Sequence, residues 1–174
     1  MPLTTSTSIT QETVLGPVTP ETLFLTLTDP DLTPYFFNRC SFRCDNSEPG
    51  APYSLVAGDE VVADGVILEY QPPLTIVLTF AQRWDRGIGD PPGRVRFSIT
   101  DRSPLCQLTI VHDRLTAGSR LNDDFDDGWL LVASGLKTLI EAGRIMPLRD
   151  DEAAALAAEA AVPEAETAPV GATP

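Results

Sequence analysis

The chain contains few cysteines and histidines, the residues that form disulfides, bind metal ions and transfer protons near pH 7. Its 174 residues include one histidine and three cysteines. An odd number of cysteines without an export signal predicts reduced thiols in a cytoplasmic protein, not a disulfide framework. The first ten residues lack both a basic stretch and an apolar segment, so secretion is not expected. No run of 18 apolar residues is present, so the sequence predicts no membrane span.

Positive charge is also scarce, with 12 bases against 25 acids. The last 25 residues hold six acids and no Lys or Arg, so the rest of the chain is only moderately acidic. A negative surface is a poor partner for phosphate backbones and anionic lipids, and we expect no nucleic acid among the ligands. Residues 1–148 are predicted to form one domain, which is large enough to bury a hydrophobic core without disulfides or a metal ion. Residues 149–174, rich in Ala, Glu and Pro, are predicted to be a disordered tail.

Alternating apolar residues predict a series of strands bounded by turn signals. The predicted strands are 6–15, 39–45, 53–57, 61–70, 74–84, 94–100 and 105–112. Residues two apart in a strand point to the same side. One face of the last three strands therefore carries Ile76, Leu78, Phe80, Val95, Phe97, Ile99, Cys106, Leu108, Ile110 and His112. This alternation indicates an antiparallel sheet with one face in water.

The dry face of the sheet needs a cover, and a long helix near the C-terminus is predicted to supply it. From residue 127 to 142 the apolar positions recur at helical spacing, and Gly143 is placed to end the helix in a left-handed cap. The stripe consists of Trp129, Val132, Ala133, Leu136, Leu139 and Ile140. Two short helices are predicted earlier, capped by Thr19 and Asp29, each with Pro next.

Several of these segments together resemble a known family. His112-Asp113, Gly128-Trp129 and the stretch G-L-K-T-L-I-E-A-G at 135–143 look like the end of START-like, helix-grip (SRPBCC) domains related to the ATPase activator of the ninety-kilodalton heat-shock chaperone. Segments 19–32, 64–73 and 94–100 agree with the same family and occur in its order. The aromatic pair that usually follows T-D-P as Trp-Phe is Phe36-Phe37 here, displaced by three residues.

The resemblance implies an α+β helix-grip fold, in which a curved six- or seven-stranded antiparallel sheet wraps a long C-terminal helix. Proteins of this class include binders, cyclases, hydrolases and chaperone activators. The leading expectation is a cytosolic, bacterial-type protein that binds a small apolar molecule between sheet and helix. The candidate ligand-contacting residues are His112, Trp129, Phe80, Phe97, Tyr70, Tyr53, Leu108, Ile110 and Leu136.

Two other functions stay open. A polyketide cyclase or dehydratase-like enzyme would use His112 as an acid or base, with Tyr53 or Tyr70 as its partner. A chaperone activator-like protein would act by binding another protein. His112 itself has three possible roles, as a ligand anchor, as a proton donor or as a structural residue at the end of a strand. No catalytic residue can be identified, because no Ser or Cys lies in the context of a base–nucleophile pair.

The remaining polar clusters do not predict a cofactor or metal. Cys40 and Cys44 are four apart, but a second zinc-binding pair would have to be Cys106 and His112, six apart on one strand. We expect the thiols to pack as small apolar groups. The acids at 123–127 lack the ligand order of a calcium loop and suit the start of the following helix. The glycine-rich segment 87–90 is predicted to connect a hairpin, since no helix follows it.

Overall fold

The computed structural model describes residues 6–83, 91–119 and 121–147. These residues form seven strands, two α-helices and one 3-10 turn. The strands are β1 (Ser6–Leu15), β2 (Ser41–Cys44), β3 (Pro52–Ala57), β4 (Glu60–Gln71), β5 (Thr75–Gln82), β6 (Gly93–Arg102) and β7 (Leu105–Thr116). The helices are α1 (Pro20–Thr28) and α2 (Leu121–Ala142), and the 3-10 turn is Thr33–Tyr35.

The seven strands form one antiparallel sheet in the order β1-β7-β6-β5-β4-β3-β2. The alternation predicted from sequence is confirmed, because Cys106, Leu108, Ile110 and His112 of β7 are all buried on one face. The same face of β5 and β6 carries the other predicted apolar residues, and all of them are buried. The architecture is therefore the predicted helix grip, with seven strands.

Helix α2 covers this face and begins earlier than the sequence suggested. The acids at 123–127 lie within its first two turns, not before it. Carboxylates at a helix N-terminus interact favourably with the helix dipole, which explains why this acidic segment is helical. The earlier start also brings Phe125 into the apolar stripe, one turn before Trp129, and both are buried. Gly143 ends the helix with φ of 61°, as predicted.

The two short helices after β1 are only half confirmed. Helix α1 begins as predicted, with the Thr19 hydroxyl accepting a hydrogen bond from the Thr22 amide at 3.2 Å. The second α-helix is not formed: Asp29 is the C-cap of α1, and only the 3-10 turn Thr33–Tyr35 follows. The predicted cap contact at Asp29 is nevertheless present, because its Oδ1 accepts from the Asp31 amide at 2.8 Å. A helix opened by Pro30 would meet Pro34 one turn later, where the proline ring clashes with the carbonyl four residues before it.

Both edge strands of the sheet are held by neighbouring elements. Lys137 of α2 donates to the Val14 carbonyl at 2.6 Å, and Glu141 accepts from the Gly16 amide at 3.2 Å. At the other edge, the buried Thr33 hydroxyl accepts from the Phe42 amide of β2 at 2.9 Å. These contacts occupy backbone groups that an edge strand would otherwise leave unpaired.

No helix in the described ranges is long and apolar enough to cross a membrane. The predicted tail, the glycine-rich segment 87–90 and Trp84, the last residue of a predicted strand, lie outside the described residues.

Candidate functional site

The single histidine is part of the buried core, where it joins the sheet to α2. The indole Nε1–H of Trp129 donates to Nδ1 of His112 at 3.1 Å, and both side chains are buried. Because Nδ1 accepts this bond, the neutral imidazole carries its proton on Nε2. The hydrogen bond gives the polar end of Trp129 a partner inside an apolar interior.

Aromatic rings surround the His112 imidazole. Its ring centroid lies 4.5 Å from that of Phe125 and 5.4 Å from that of Phe80. Burial lowers the pKa of His112 to about 4, an effect that the nearby Asp113 carboxylate opposes. The imidazole is therefore neutral near pH 7. Its Nε2 has no hydrogen-bond partner in the described part of the chain.

Gly93, the first residue of β6, makes room for the imidazole. A Cβ atom added at Gly93 would lie 2.3 Å from Nε2 of His112 and 3.3 Å from the Asp113 carbonyl. Any larger residue would therefore push the imidazole out of the position in which it meets Trp129. Sequence patterning gives no sign of this requirement, because the contact joins two strands through a side chain.

An apolar opening lies beside this buried group, between the first half of α2 and the strands β3 to β5. We call it the α2 pocket, and its volume is about 120 Å³. The main apolar side chains that line it are Phe37, Leu55, Phe80, Phe125, Trp129 and Val132. Cys40 contributes a buried thiol, and Asn38 and Asp124 are the polar residues of the lining. The α2 pocket is thus mostly hydrophobic.

Gly128 keeps the α2 pocket open on the helix side. It lines the pocket from the interior of α2, and a Cβ atom added there would meet nothing within 4 Å. Glycine in a helix interior costs about 1 kcal/mol relative to alanine. The helix therefore has glycine, the residue with the lowest helix propensity after proline, at a position where a side chain would project into empty space.

Below the α2 pocket, the space between sheet and helix is almost filled. A void of about 20 Å³ remains, which we call the inner void. Four residues line both spaces, namely Phe37, Leu55, Phe80 and Trp129. Ligand cavities for drug-sized molecules usually measure about 300–1,000 Å³, so the interior in this conformation is too small for such a ligand.

The candidate residues from the sequence fall into three groups. Phe80 and Trp129 line both the α2 pocket and the inner void. Phe97 and Tyr53 line the inner void but not the α2 pocket, and Tyr53 also lines an open groove of about 710 Å³ beside β2 and β3. His112 lies behind Phe80, Phe125 and Trp129, and Tyr70 packs edge-on against Phe24 of α1. The fully buried Leu108, Ile110 and Leu136 line neither space.

Of the twelve residues that line the α2 pocket, only Phe80 and Trp129 are among the candidates from the sequence, and the ten missed residues include Phe37, Cys40, Phe125 and Gly128. Phe125 belongs to the helical stripe and could have been found by extending its spacing one turn backwards. Phe37 lies in an irregular segment, where periodicity gives no information about direction. Cys40 falls within the predicted strand 39–45 but lies just before β2, which begins at Ser41.

Tyr53 has a structural role beside an irregularity in the pairing of β4 with β5, where Asp64↔Ala81 is followed by Ile67↔Leu78. Its ring stacks on Phe42, and its hydroxyl donates to the Thr79 carbonyl of β5 at 2.6 Å. Tyr53 pairs with Gly65 across β3 and β4, and a Cβ atom at Gly65 would lie 2.2 Å from that same carbonyl. Burial, with a smaller effect of Asp64, raises the pKa of Tyr53. Within the described residues the Tyr53 hydroxyl does not bond to His112, whose Nδ1 accepts from Trp129 and whose Nε2 has no partner.

The three thiols lie in different environments. Cys40 faces the α2 pocket, and burial raises its pKa to about 11, so the thiol stays protonated. Cys106 is fully buried, and its Sγ lies 3.2 Å from the Val18 carbonyl. Cys44 is half-buried near Ser47. Among the described residues no group of three or more His, Cys, Asp or Glu could hold a metal ion.

The fold and the position of the helix define a START-like, helix-grip protein. Residues 17–141 match the family described as Activator of Hsp90 ATPase homolog 1-like protein, and the chain belongs to that family. Comparison of the sequence with curated proteins gives no match.

Solved structures share the fold at low sequence identity. The Aha1 dimer from Colwellia psychrerythraea is 13% identical with a TM-score of 0.63, over 79% of this chain and 98% of that one. CalU16 from Micromonospora echinospora is 20% identical with a TM-score of 0.60, over 88% and 86%. An HSP90 activator from Plasmodium falciparum is 22% identical with a TM-score of 0.54, over 71% and 86%. These likenesses establish the fold.

Proposed function

We propose that the protein binds a small apolar molecule, or the apolar end of a larger one, in the α2 pocket. The observation that carries this proposal is Gly128, which leaves open space in the wall of a helix that otherwise packs closely on the sheet. A cavity of roughly 150 Å³ with an apolar lining is known to stay dry and to bind benzene or xenon. The α2 pocket, at about 120 Å³, is of similar size and lining.

The expected affinity is modest because the ligand is small. The best very small ligands gain about 1.5 kcal/mol per heavy atom, which bounds a six-carbon ring at about 9 kcal/mol. Typical ligands gain much less per atom, so we expect dissociation constants in about the micromolar to millimolar range. A natural ligand with tighter binding would have to extend beyond the α2 pocket.

The geometry supports binding more than acid–base catalysis. His112 has Nδ1 occupied by Trp129 and a pKa of about 4, whereas a general acid or base works best with a pKa near the working pH. The Tyr53 hydroxyl donates to a backbone carbonyl, and Tyr70 packs against Phe24. Among the described residues neither tyrosine forms a hydrogen bond with the imidazole. A role for His112 as ligand anchor stays a prediction that requires Phe80 or Phe125 to move.

Filling the α2 pocket tests the proposal. Gly128→Leu places an apolar side chain in the open space, while Gly128→Ala is the matched control that adds one methyl group. We expect toluene to shift the amide resonances around Gly128 and Trp129 in the wild type and in Gly128→Ala, and not in Gly128→Leu. Equal toluene binding by Gly128→Leu and wild type, with both folded, would place the ligand elsewhere and contradict the proposal.

Family membership favours a second candidate function, contact with an Hsp90-type chaperone. One solved relative of the same fold is described as an HSP90 activator. The test is the ATPase rate of a purified Hsp90-type chaperone with and without this protein. A rate that rises and saturates with added protein supports the candidate, and an unchanged rate with no complex in sedimentation velocity opposes it.

A further inference from the structure

Phe37 is one of the four residues that line both spaces beneath α2, and the other three are buried. Its ring lines the α2 pocket on one side and the inner void on the other. It packs edge-on against Trp129, with ring centroids 5.6 Å apart, and it is only half-buried. If this ring moved aside, the α2 pocket and the inner void would become one chamber, larger by the volume of a phenyl group.

The backbone around Phe37 is anchored on one side and strained on the other. Phe36 is held against α2 at Gly135, where an added Cβ atom would come within 3.4 Å of the Phe36 backbone and Cβ. Asn38 and Arg39, in contrast, have φ angles of 48° and 59°. Residues other than glycine rarely adopt this left-handed conformation, and such strain is concentrated at ligand clamps and switch regions.

Open space also lies on the outer side of this segment. A groove of about 220 Å³, which we call the outer groove, is lined by Tyr35, Phe36, Asn38 and Arg39 together with Gly135 and Ile145. Asn38 therefore borders both the outer groove and the α2 pocket. A segment with a void on each side lacks the close packing that fixes most buried side chains.

We propose that Phe37 determines the size of the ligand: its ring closes the chamber to one-ring molecules, and its displacement towards the outer groove admits flat apolar molecules with two rings. This inference rests on the proposed function, because it concerns the same pocket. The displaced state is a minor conformation of the free protein, and the ligand selects it. The apparent dissociation constant of a two-ring ligand then equals its intrinsic value divided by the fraction of protein molecules in which the Phe37 ring is displaced.

The test compares toluene and naphthalene on the wild type, on Phe37→Ala and on Phe37→Leu, with amide chemical shifts as the readout. Since minor states of this kind are about 0.1–10% populated, Phe37→Ala should tighten naphthalene binding by about 10- to 1,000-fold. Toluene binding should change little. Tyr35→Ala, in the same segment and lining only the outer groove, is the matched control and should leave the ratio of the two affinities unchanged.

The outcomes separate this inference from the proposed function. If Phe37→Ala changes both affinities by the same factor, Phe37 is an ordinary lining residue and the inference is overturned, while the pocket still stands. If neither ligand binds to any folded variant, the proposed function fails and the inference fails with it. If Phe37→Ala does not fold, Phe37→Leu, which keeps an apolar side chain, takes its place. The ratio of its naphthalene and toluene affinities is then compared with that of the wild type.

Discussion

The indole nitrogen of Trp129 and Nδ1 of His112, 3.1 Å apart, form a hydrogen bond that crosses the interface between α2 and the sheet. The two residues lie 17 positions apart in sequence, on the last strand and on the helix that follows it. Apolar packing alone would let the helix slide along the sheet face, whereas a buried hydrogen bond has one satisfied arrangement. The pair therefore fixes the first half of α2 on the sheet, while Lys137 and Glu141 hold its second half at the end of β1.

Replacing Trp129 tests this role. Trp129→Phe keeps most of the ring but leaves Nδ1 of His112 without its donor, and should cost about 1–3 kcal/mol of the free energy of unfolding. Trp129→Ala also removes the buried ring and should cost about 3–5 kcal/mol. Urea denaturation measures both values. Leu130→Ala, on the 49% exposed neighbour, is the control and should change stability little. A small effect of Trp129→Ala would show that the helix does not pack as described.

Stability should depend on pH through His112, the single histidine. Folding lowers its pKa from an unfolded value of about 6.5 to about 4, so between these values the unfolded chain binds more protons. This contribution to stability is complete above about pH 6.5 and is lost as pH falls towards 4, by about 3 kcal/mol in total. The free energy of unfolding at pH 7 and pH 4.5 measures it. A His112→Gln variant should show a flatter profile over this interval, and an equal slope in both proteins would contradict the assignment.

Gly93 should tolerate no side chain while His112 is present. Gly93→Ala forces a methyl group against Nε2 and should destabilise the fold by about 1–3 kcal/mol, the usual cost of overpacking. In the double variant with His112→Ala, the cost of the Gly93 substitution should fall, because contacting residues are not additive. If the cost of the double variant equals the sum of the two single costs, the methyl group clashes with the backbone and not with the imidazole.

Truncation after Leu148 tests the predicted tail. The segment 149–174 has almost no large apolar residues, so its removal should leave the melting temperature within a few degrees. Thermal unfolding followed by circular dichroism gives the comparison. A much lower melting temperature in the truncated protein would mean that the tail packs on the domain.

The sequence was most informative where one physical rule decides the outcome. The two-residue period placed Leu108, Ile110 and His112 on the buried face, and the helical period placed Trp129 and Leu136 against them. The second short helix was mispredicted because a local cap signal at Asp29 competes with Pro34, and the proline prevails. The size of the pocket could not be predicted, since it depends on how rings from β5, α2 and the segment around Phe37 fill one space.

Xenon binding to crystals of the protein tests the central claim most directly, because xenon enters apolar cavities without needing a specific contact. The account predicts a xenon site in the α2 pocket, between Gly128 and the ring of Phe80, and loss of that site in Gly128→Leu. A pocket that takes up no xenon and holds ordered water instead would contradict the claim that it is an apolar binding site.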